Sequence, residues 1–432
     1  MKTRAEKIHI ITLGCAKNTV DSETLQSQLL GNDFSVTETI DDADIAIINT
    51  CGFIDTAKRQ SIDTILETVQ RKTAGSLSKV FVMGCLVQRY RNELKTEIPE
   101  VDNFFGTNEL PNILRTLGAE YKYSLLGERA LSTPKYFSYL KISEGCDNPC
   151  SFCAIPLMRG KHVSKPVEEL MDEVMRLTQK GVKELILIGQ DTTYYGMDRY
   201  GKRALASLLT SLAGVKELGW IRLMYAYPAK FPTDIIPVIR DHQSICKYID
   251  LPVQHAADNV LKSMRRGITR RTTELLLAEL RKEIPQIALR TTVIVGYPNE
   301  TEKDIEELAQ FIKDVRFDRL GAFTYSQEDH TAAYDLGNPI PEEEKERRKE
   351  YIMEVQRAVS LEKNESRIGM NTSAVIERIE EGNYAGRTEW DAPEIDNEVF
   401  IPVAASREIH IGDIVPVTIT DATEYDLYAE LL

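Results

Sequence analysis

The stretch YFSYLKISEGCDNPCSFCAIP (residues 136–156) decides the fold of this 432-residue chain. Its first seven residues form an apolar strand pattern, and Cys146, Cys150 and Cys153 follow that strand in a loop. The spacing C-x-x-x-C-x-x-C allows one loop to direct three thiolates at one metal centre, and thiolates are the ligands of iron–sulfur clusters. Three protein ligands leave one iron of a 4Fe-4S cluster open to a small molecule, which indicates a catalytic centre. A zinc knuckle or unrelated buried cysteines are the alternatives.

Outward from this loop, strand and helix patterns alternate regularly through residues 136–340. The strand patterns lie at residues 136–142, 184–189, 220–225, 247–251, 289–296 and 320–325. Six strand–helix units predict a partial (β/α)6 barrel of the TIM type, which has its working face at the C-terminal ends of its strands. A doubly wound open sheet is the alternative, since periodicity alone does not separate the two folds.

The first 120 residues predict an amino-terminal parallel α/β sheet domain, because strand and helix patterns alternate there with short connections. The strand patterns lie at residues 8–14, 44–50 and 79–84, and each is followed directly by a cysteine: Cys15, Cys51 or Cys85. The C-terminal ends of neighbouring parallel strands share one edge of a sheet, so these three thiols are expected to converge there. Cysteine also packs well at apolar strand ends, and spacing alone leaves that alternative open. Cys246 has no such partners and is expected to be a buried structural residue.

The last 62 residues predict a small all-β barrel, because short β-like runs replace the helical periods after residue 370. This segment, residues 371–432, contains 14 acidic and 3 basic residues. It therefore carries a net charge of −11, out of −14 for the whole chain. Such a surface would repel phosphate, so contact with RNA is not expected to dominate the binding of partners.

Composition excludes several other classes of protein. A hydrophobic content of 42% is enough for packed cores, so a largely disordered chain is excluded. No apolar run approaches the roughly 20 residues that a bilayer requires, and the first residues do not resemble a signal peptide. We therefore expect a cytoplasmic protein with no membrane contact, in which 7 cysteines serve metal binding or catalysis rather than disulfides.

The cysteine loop and six further motifs resemble the methylthiotransferases of the radical S-adenosylmethionine superfamily, over essentially the whole chain. These motifs are GCAKNTVDSE (14–23), INTCGF (48–53), MGC (83–85), GQDTTYYG (189–196), LPVQHAADNVLKSMRRG (251–267) and VIVGYPNET (293–301). The resemblance implies an amino-terminal cluster domain (5–120), a radical core domain (132–364) and a carboxy-terminal TRAM domain (367–432).

The resemblance also implies the cofactors, which are two 4Fe-4S clusters and S-adenosyl-L-methionine. Cys146, Cys150 and Cys153 would hold the catalytic cluster, whose open iron binds the methionine part of the cofactor and cleaves it to a 5′-deoxyadenosyl radical. Cys15, Cys51 and Cys85 would hold an auxiliary cluster, which presents the sulfur that is methylated and joined to the substrate carbon. Cofactor chemistry of this kind serves C–H bonds that acid–base catalysis cannot open.

Polar and small residues at the predicted strand ends are candidates for binding the cofactor or the substrate. They are Gln190, Asp191, Arg222, Gln254, His255 and Gly296. Gly296 would permit close approach of the cofactor or would only begin a turn, and His255 would contact a ligand or cap the next helix. Lys17 and Asn18 are expected to shape the edge beside Cys15, and Arg159 is either a site residue or part of a basic edge.

Substrate choice divides this family between an adenosine of transfer RNA and an aspartate of small-subunit ribosomal protein twelve. The acidic carboxy-terminal segment favours a basic ribosomal protein, and GCAKNTVDSE resembles the ribosomal-protein type. We therefore expect a methylthio group to be added to the β-carbon of that aspartate. The alternatives are a transfer-RNA methylthiotransferase and a non-catalytic iron–sulfur electron carrier. An electron donor and a sulfur donor of unknown identity are required as partners, and a monomer is expected.

Overall fold

The computed structural model describes residues 6–403 and 408–432, and its first domain is a five-stranded parallel sheet. The strands are β1 (Lys7–Thr12), β2 (Ser35–Val36), β3 (Ile45–Thr50), β4 (Lys79–Gly84) and β5 (Asn103–Phe105). The helices are α1 (Ala16–Gly31), α2 (Asp55–Thr73), α3 (Cys85–Glu97) and α4 (Leu110–Thr116). The spatial order β2-β1-β3-β4-β5 places β3 at the centre, where all six of its residues are buried. This domain confirms the predicted parallel α/β sheet.

The middle domain is a six-stranded parallel sheet with its helices in the connections. Its strands are β6 (Phe137–Lys141), β9 (Glu184–Ile188), β10 (Trp220–Leu223), β11 (Ile245–Asp250), β12 (Ala288–Val295) and β13 (Arg319–Thr324), beside a short antiparallel pair, β7 (Ser143–Glu144) and β8 (Val163–Ser164). Its helices are α5 (Ile155–Arg159), α6 (Val167–Gln179), α7 (Met197–Tyr200), α8 (Leu205–Ala213), α9 (Ile235–Asp241), α10 (Asp258–Ser263), α11 (Arg270–Glu283), α12 (Glu302–Val315) and α13 (Glu342–Glu365).

The order of these six strands in space is their order in the chain, from β6 at one edge to β13 at the other. A doubly wound sheet reverses its strand order at a switch point, so this order confirms the partial (β/α)6 barrel. Alternate residues of β9 face opposite sides. Leu185 and Leu187 pack against the helices, whereas Ile186 and Ile188 pack toward the last domain.

The last domain is a closed five-stranded barrel, as the sequence predicts. Its strands are β14 (Asn371–Glu380), β15 (Asn383–Thr388), β16 (Val399–Pro402), β17 (Ile414–Ala422) and β18 (Leu427–Leu431). They close in the order β14-β15-β16-β18-β17, which leaves this sheet without a free edge. Among the described residues, no helix has the length and hydropathy needed to span a bilayer.

Buried charges join this small barrel to the inner face of the middle sheet. Glu184 of β9 pairs with Arg222 of β10 (Nε to Oε1, 2.8 Å) and with Arg387 of β15 (Nη2 to Oε2, 2.8 Å). Burial opposes ionisation of Glu184, but the two guanidinium groups hold the pKa of this carboxyl below its usual value. Arg222 also donates to the Glu389 carbonyl at 2.7 Å. The interface is therefore a satisfied ionic network, in which each buried charge has a partner.

Two aspartates from the turn after β15 continue this network. Asp391 accepts from Arg319 (Nε to Oδ1, 2.8 Å), and Asp396 accepts from Arg290 (3.1 Å) and from the Tyr248 hydroxyl (2.7 Å). These carboxylates face the middle domain rather than a partner. The net charge of −11 in residues 371–432 therefore overstates the charge that this domain offers at its surface.

Candidate functional site

The loop with Cys146, Cys150 and Cys153 lies between β7 and α5, beyond the C-terminal end of the first barrel strand. All three cysteines have free thiols. The Cys146 amide donates to the Gly160 carbonyl (3.1 Å), which joins the two ends of the loop. Gly145 has a φ of +75°, and a Cβ there would lie 2.0 Å from the Lys161 carbonyl oxygen. The loop therefore closes tightly only with glycine at this position.

Polar groups from outside the loop and from within it lie beside two of these sulfurs. Arg266 Nη1 lies 3.2 Å from Cys150 Sγ, and the Tyr227 hydroxyl lies 3.6 Å from the same sulfur. Asn148 Nδ2 lies 3.4 Å from Cys146 Sγ. Free thiols with a guanidinium and amide donors directed at them suit thiolate ligands of an iron–sulfur cluster, because such donors stabilise the charge on sulfur. Neither Arg266 nor Tyr227 was predicted from the sequence, although Arg266 lies in the motif at 251–267 and Tyr227 closely follows β10.

Burial raises the pKa of the Cys153 thiol to about 12 and that of Cys146 to about 11. Both thiols are therefore protonated at neutral pH in the metal-free chain. A metal centre must displace these protons, since the thiolate is the ligand.

Gln190, Asp191 and Gln254 lie at the working edge, as the sequence predicts. Asp191 is buried and accepts from Asn148 of the cysteine loop at 2.8 Å. Gln190 donates to Glu144 at 2.7 Å, while its own Oε1 is buried without a hydrogen-bond partner. The Oε1 of Gln254 is also buried without a partner. Both oxygens are thus able to accept a hydrogen bond from a ligand at this edge.

His255 is buried beneath this edge, at the start of the segment that leads to α10. Its Nδ1 accepts from the Ala257 amide (3.0 Å), and its Nε2 lies 3.2 Å from Glu300 Oε2. Neither His255 Nε2 nor Glu300 Oε2 has a partner of good hydrogen-bond geometry. The other oxygen of Glu300 accepts from the Gly296 amide (2.7 Å) and from Arg348 (2.8 Å).

Two sequence-predicted residues have other surroundings than expected. Arg222 lies in the buried pair with Glu184 that faces the last domain, rather than at the working edge. Gly296 has a φ of +75°, and a Cβ there would lie 2.3 Å from Cγ of Lys345 in α13. The sequence predicts that the cofactor approaches Gly296 closely, but the Lys345 side chain occupies that place.

Replacement of Gly296 by alanine is expected to destabilise the fold by about 1–3 kcal/mol. Alanine is strained at this positive φ, and its Cβ would also clash with the Lys345 side chain. Gly337 provides a matched control, since its φ is +72° and nothing lies within 4 Å of its would-be Cβ. Urea unfolding of the metal-free variants measures the difference. A cost at Gly296 no larger than that at Gly337 would show that Lys345 simply moves aside.

The second cysteine set lies at one edge of the first sheet. Cys15 precedes α1, Cys51 follows β3, and Cys85 begins α3. A Cβ on Gly14 would lie 3.2 Å from Cys51 Sγ, and Cys85 Sγ lies 4.0 Å from Asn18 Oδ1. Burial raises the pKa of Cys85 to about 12, with the neighbouring sulfurs of Cys15 and Cys51 adding to the rise. The three thiols are thus neighbours, as the strand-end rule predicts.

Among the described residues, no three His, Cys, Asp or Glu side chains are arranged to hold one metal ion. Each set offers three thiols, and thiolates are the ligands of iron–sulfur clusters. The donor chemistry of both sets therefore fits such a cluster.

The two cysteine sets face each other across the contact between the first and middle domains. Cys85 packs with Ala154 and Met158, which lie in and beside α5, in one small buried cluster. Lys17, beside Cys15, places its Nζ 3.1 Å from the ring centroid of Tyr225, which follows β10. One interface therefore brings both sets of thiols to the working edge of the barrel.

A further ion pair at this interface joins the first domain to the loop after β13. Arg89 of α3 pairs with Glu328 at 2.6 Å, and each side chain is 3% exposed. Lys58 of α2 pairs with the same carboxylate at 3.1 Å. The contact between the domains is thus held by paired charges as well as by the buried apolar cluster.

Comparison with family profiles assigns all three regions of the chain. The profile of "Uncharacterized protein family UPF0004" matches residues 7–106, and that of the Radical SAM superfamily matches residues 140–312. The profile of the TRAM domain matches residues 368–432.

Full-length relatives share one name. A protein of Chloroherpeton thalassium is 53% identical, with 100% of each chain covered, and one of Bacteroides thetaiotaomicron is 49% identical, with 99% of each covered. Both are named ribosomal protein uS12 methylthiotransferase RimO.

Solved structures support the fold. The radical S-adenosylmethionine methyltransferase TsrM of Kitasatospora setae, solved with cobalamin and a [4Fe-4S] cluster, has a TM-score of 0.57 at 12% identity, over 88% of this chain and 81% of that one. The radical enzyme OxsB, solved with aqua-cobalamin and S-adenosylmethionine, has a TM-score of 0.52 at 15% identity, over 81% and 56%. At these identities the likeness concerns the fold alone.

Proposed function

The chain belongs to the family of ribosomal protein uS12 methylthiotransferases named RimO, and on that premise we propose that it transfers a methylthio group to the β-carbon of an aspartate in uS12. The observation that supports this most is the pair of three-cysteine sets facing each other across one domain interface. A reaction that both activates a carbon and delivers sulfur to it needs two such centres within reach of one substrate. An electron carrier has no need of an edge lined with unpaired acceptors.

Cys146, Cys150 and Cys153 would hold the catalytic 4Fe-4S cluster. With S-adenosylmethionine bound, this cluster supplies the radical chemistry that opens an unreactive C–H bond. The protein's own side chains would orient the cysteine loop and neutralise the charge on its thiolates. Arg266 donates to Cys150 Sγ at 3.2 Å and to the Pro252 carbonyl at 2.6 Å, which joins the loop to the segment after β11.

Gln190 and Gln254 are proposed to bind the cofactor or the substrate through their unpaired amide oxygens. Each oxygen can accept a hydrogen bond from an ammonium or hydroxyl group, and S-adenosylmethionine carries both kinds of donor. Asp191 would orient this edge through Asn148, since the Asn148 amide lies between Asp191 and Cys146.

Cys15, Cys51 and Cys85 would hold the auxiliary 4Fe-4S cluster. Three protein ligands leave one iron for sulfur to be delivered, which the family's reaction requires. The neighbouring Asn18 and Lys17 are both buried and would shape one side of this centre, while Cys15 is exposed.

A basic protein substrate suits the exposed charge of the last domain. Within the described residues, the carboxylates of Glu381, Asp421 and Glu430 are exposed and form no ion pair. The surface of the TRAM barrel therefore stays acidic, although Asp391 and Asp396 are buried in ion pairs at the interface with the middle domain. Such a surface attracts a basic protein and repels the phosphates of RNA.

Incubation of the anaerobically reconstituted protein with purified uS12 and, separately, with transfer RNA tests the substrate. We expect a methylthio group on one aspartate of uS12, detected by mass spectrometry of its peptides. No change is expected in the nucleosides of the RNA. Modification of the RNA alone would establish the transfer-RNA alternative. Absence of 5′-deoxyadenosine under strong reductant would point to the electron carrier.

A further inference from the structure

We propose that Arg159 is a positioning residue that joins the two cysteine sets. From the middle domain it would fix the loops of Cys15, Cys51 and Cys85 and supply a positive charge beside them. The inference rests on the proposed auxiliary cluster and adds a residue to which the sequence motifs give no defined role. Arg159 is the last residue of α5, six positions after Cys153, and its side chain is 2% exposed.

The guanidinium of Arg159 crosses the domain interface. Its Nη2 donates to Asn18 Oδ1 at 2.5 Å, and its Nη1 donates to Asp21 Oδ2 at 2.6 Å. Both acceptors lie on α1, the helix that begins directly after Cys15. The same Nη1 lies 3.2 Å from Glu144, just before the radical cysteine loop. A single buried side chain therefore contacts the segments next to both cysteine sets.

Asn18 transmits this contact to the second set. It is fully buried, and its Nδ2 donates to the Leu13 carbonyl (2.7 Å) and to the Thr50 carbonyl (3.1 Å). These carbonyls lie two residues before Cys15 and one before Cys51. The Oδ1 that accepts from Arg159 is also the atom 4.0 Å from Cys85 Sγ. Arg159 therefore sets the orientation of an amide that touches all three cysteine segments.

The surrounding charges balance closely. Lys141 pairs with Asp21 and, at 2.7 Å, with Glu144, so two cations and two carboxylates form one group, with buried cations and partly buried carboxylates. Removal of the guanidinium leaves a net charge of −1 beside the cysteines, and neutralisation of Asp21 leaves +1. A nearby positive charge stabilises the reduced, more negative state of a cluster, so these two changes should act in opposite directions.

The test uses the full chain with Cys146, Cys150 and Cys153 replaced by serine, so that only the auxiliary cluster is reconstituted. Redox titration followed by electron paramagnetic resonance measures its midpoint potential, and a chelator assay measures its loss of iron. We expect Arg159→Gln to lower the potential and to speed iron loss several-fold. Asp21→Asn should raise the potential. Arg159→Lys should restore the potential while iron loss stays fast, because lysine cannot bridge Asn18 and Asp21 together.

Arg129 provides the matched control. It is a buried arginine that also joins α1 to the middle domain, through Glu23 and, at 3.2 Å, Glu173, but it has no contact with a cysteine segment. Arg129→Gln should leave both the potential and the rate of iron loss unchanged. Equal effects of Arg129→Gln and Arg159→Gln, or shifts of one sign for Arg159→Gln and Asp21→Asn, would overturn the inference. Absence of iron from the parent background would instead refute the auxiliary cluster, and the inference with it.

Discussion

Replacement of Cys150 by serine is expected to abolish formation of 5′-deoxyadenosine, whereas Cys85→Ser is expected to preserve it and to abolish transfer of the methylthio group. The two cysteines belong to separate sets on different domains, so each substitution removes one centre and spares the other. Each variant should retain about four irons per chain where the parent holds about eight, because each set carries one 4Fe-4S cluster. Chromatography of the nucleoside, mass spectrometry of uS12 and iron analysis measure the three quantities.

Cys246 supplies the control for these variants. It is a free cysteine near the N-terminal end of β11, opposite the working edge of the barrel, and is 1% exposed. Cys246→Ala should therefore change neither the iron content nor the products. Loss of 5′-deoxyadenosine in Cys85→Ser would contradict the assignment of two separate centres.

Replacement of Asp391 by asparagine is expected to weaken the union of the middle and last domains by about 3–5 kcal/mol, the usual cost of leaving one member of a buried ion pair without its partner. Arg319, the partner, is only 4% exposed at its side chain, so bulk water compensates little for a lost counter-charge. Urea unfolding of the metal-free chain measures the free energy. Limited proteolysis measures the release of the last domain.

Two further variants make this prediction specific. Arg347→Gln removes exposed ion pairs with Glu302 and Glu344 and should leave the unfolding midpoint nearly unchanged. Arg319→Met combined with Asp391→Leu removes both charges at once. The double variant should recover much of the loss, because an apolar pair carries no unpaired charge. A cost for Asp391→Asn as small as that for Arg347→Gln would contradict the role of this pair.

The cysteine positions could be predicted because they follow from local pattern and a topological rule. Cys15, Cys51 and Cys85 each end a strand, and parallel strands bring their ends to one edge whatever the rest of the chain does. The same rule placed Gln190 and Gln254 at the working edge. The barrel followed from the regular alternation of strand and helix, and the strand order then excluded the doubly wound alternative.

Partners that are distant in sequence could not be predicted. Arg222 pairs with Glu184 and donates to the Glu389 carbonyl, 167 residues away, and Gly296 packs against Lys345 of α13. The pattern of residue types along one sequence does not indicate which distant residues form such pairs. The surface charge of the last domain is overestimated from the sequence for the same reason. A count of residues includes every carboxylate, whereas Asp391 and Asp396 are buried against arginines of the middle domain.

The burial of Arg319 against the last domain has a consequence for biosynthesis. Arg222 and Arg290 have carboxylate partners within the middle sheet, Glu184 and Asp250, whereas Arg319 pairs with Asp391 of the last domain. During translation, the last strand of the middle sheet is therefore made before its buried arginine has a counter-charge. A chain that ends before Asp391 should leave this charge unpaired, and we expect such a chain to be less stable than the full-length protein.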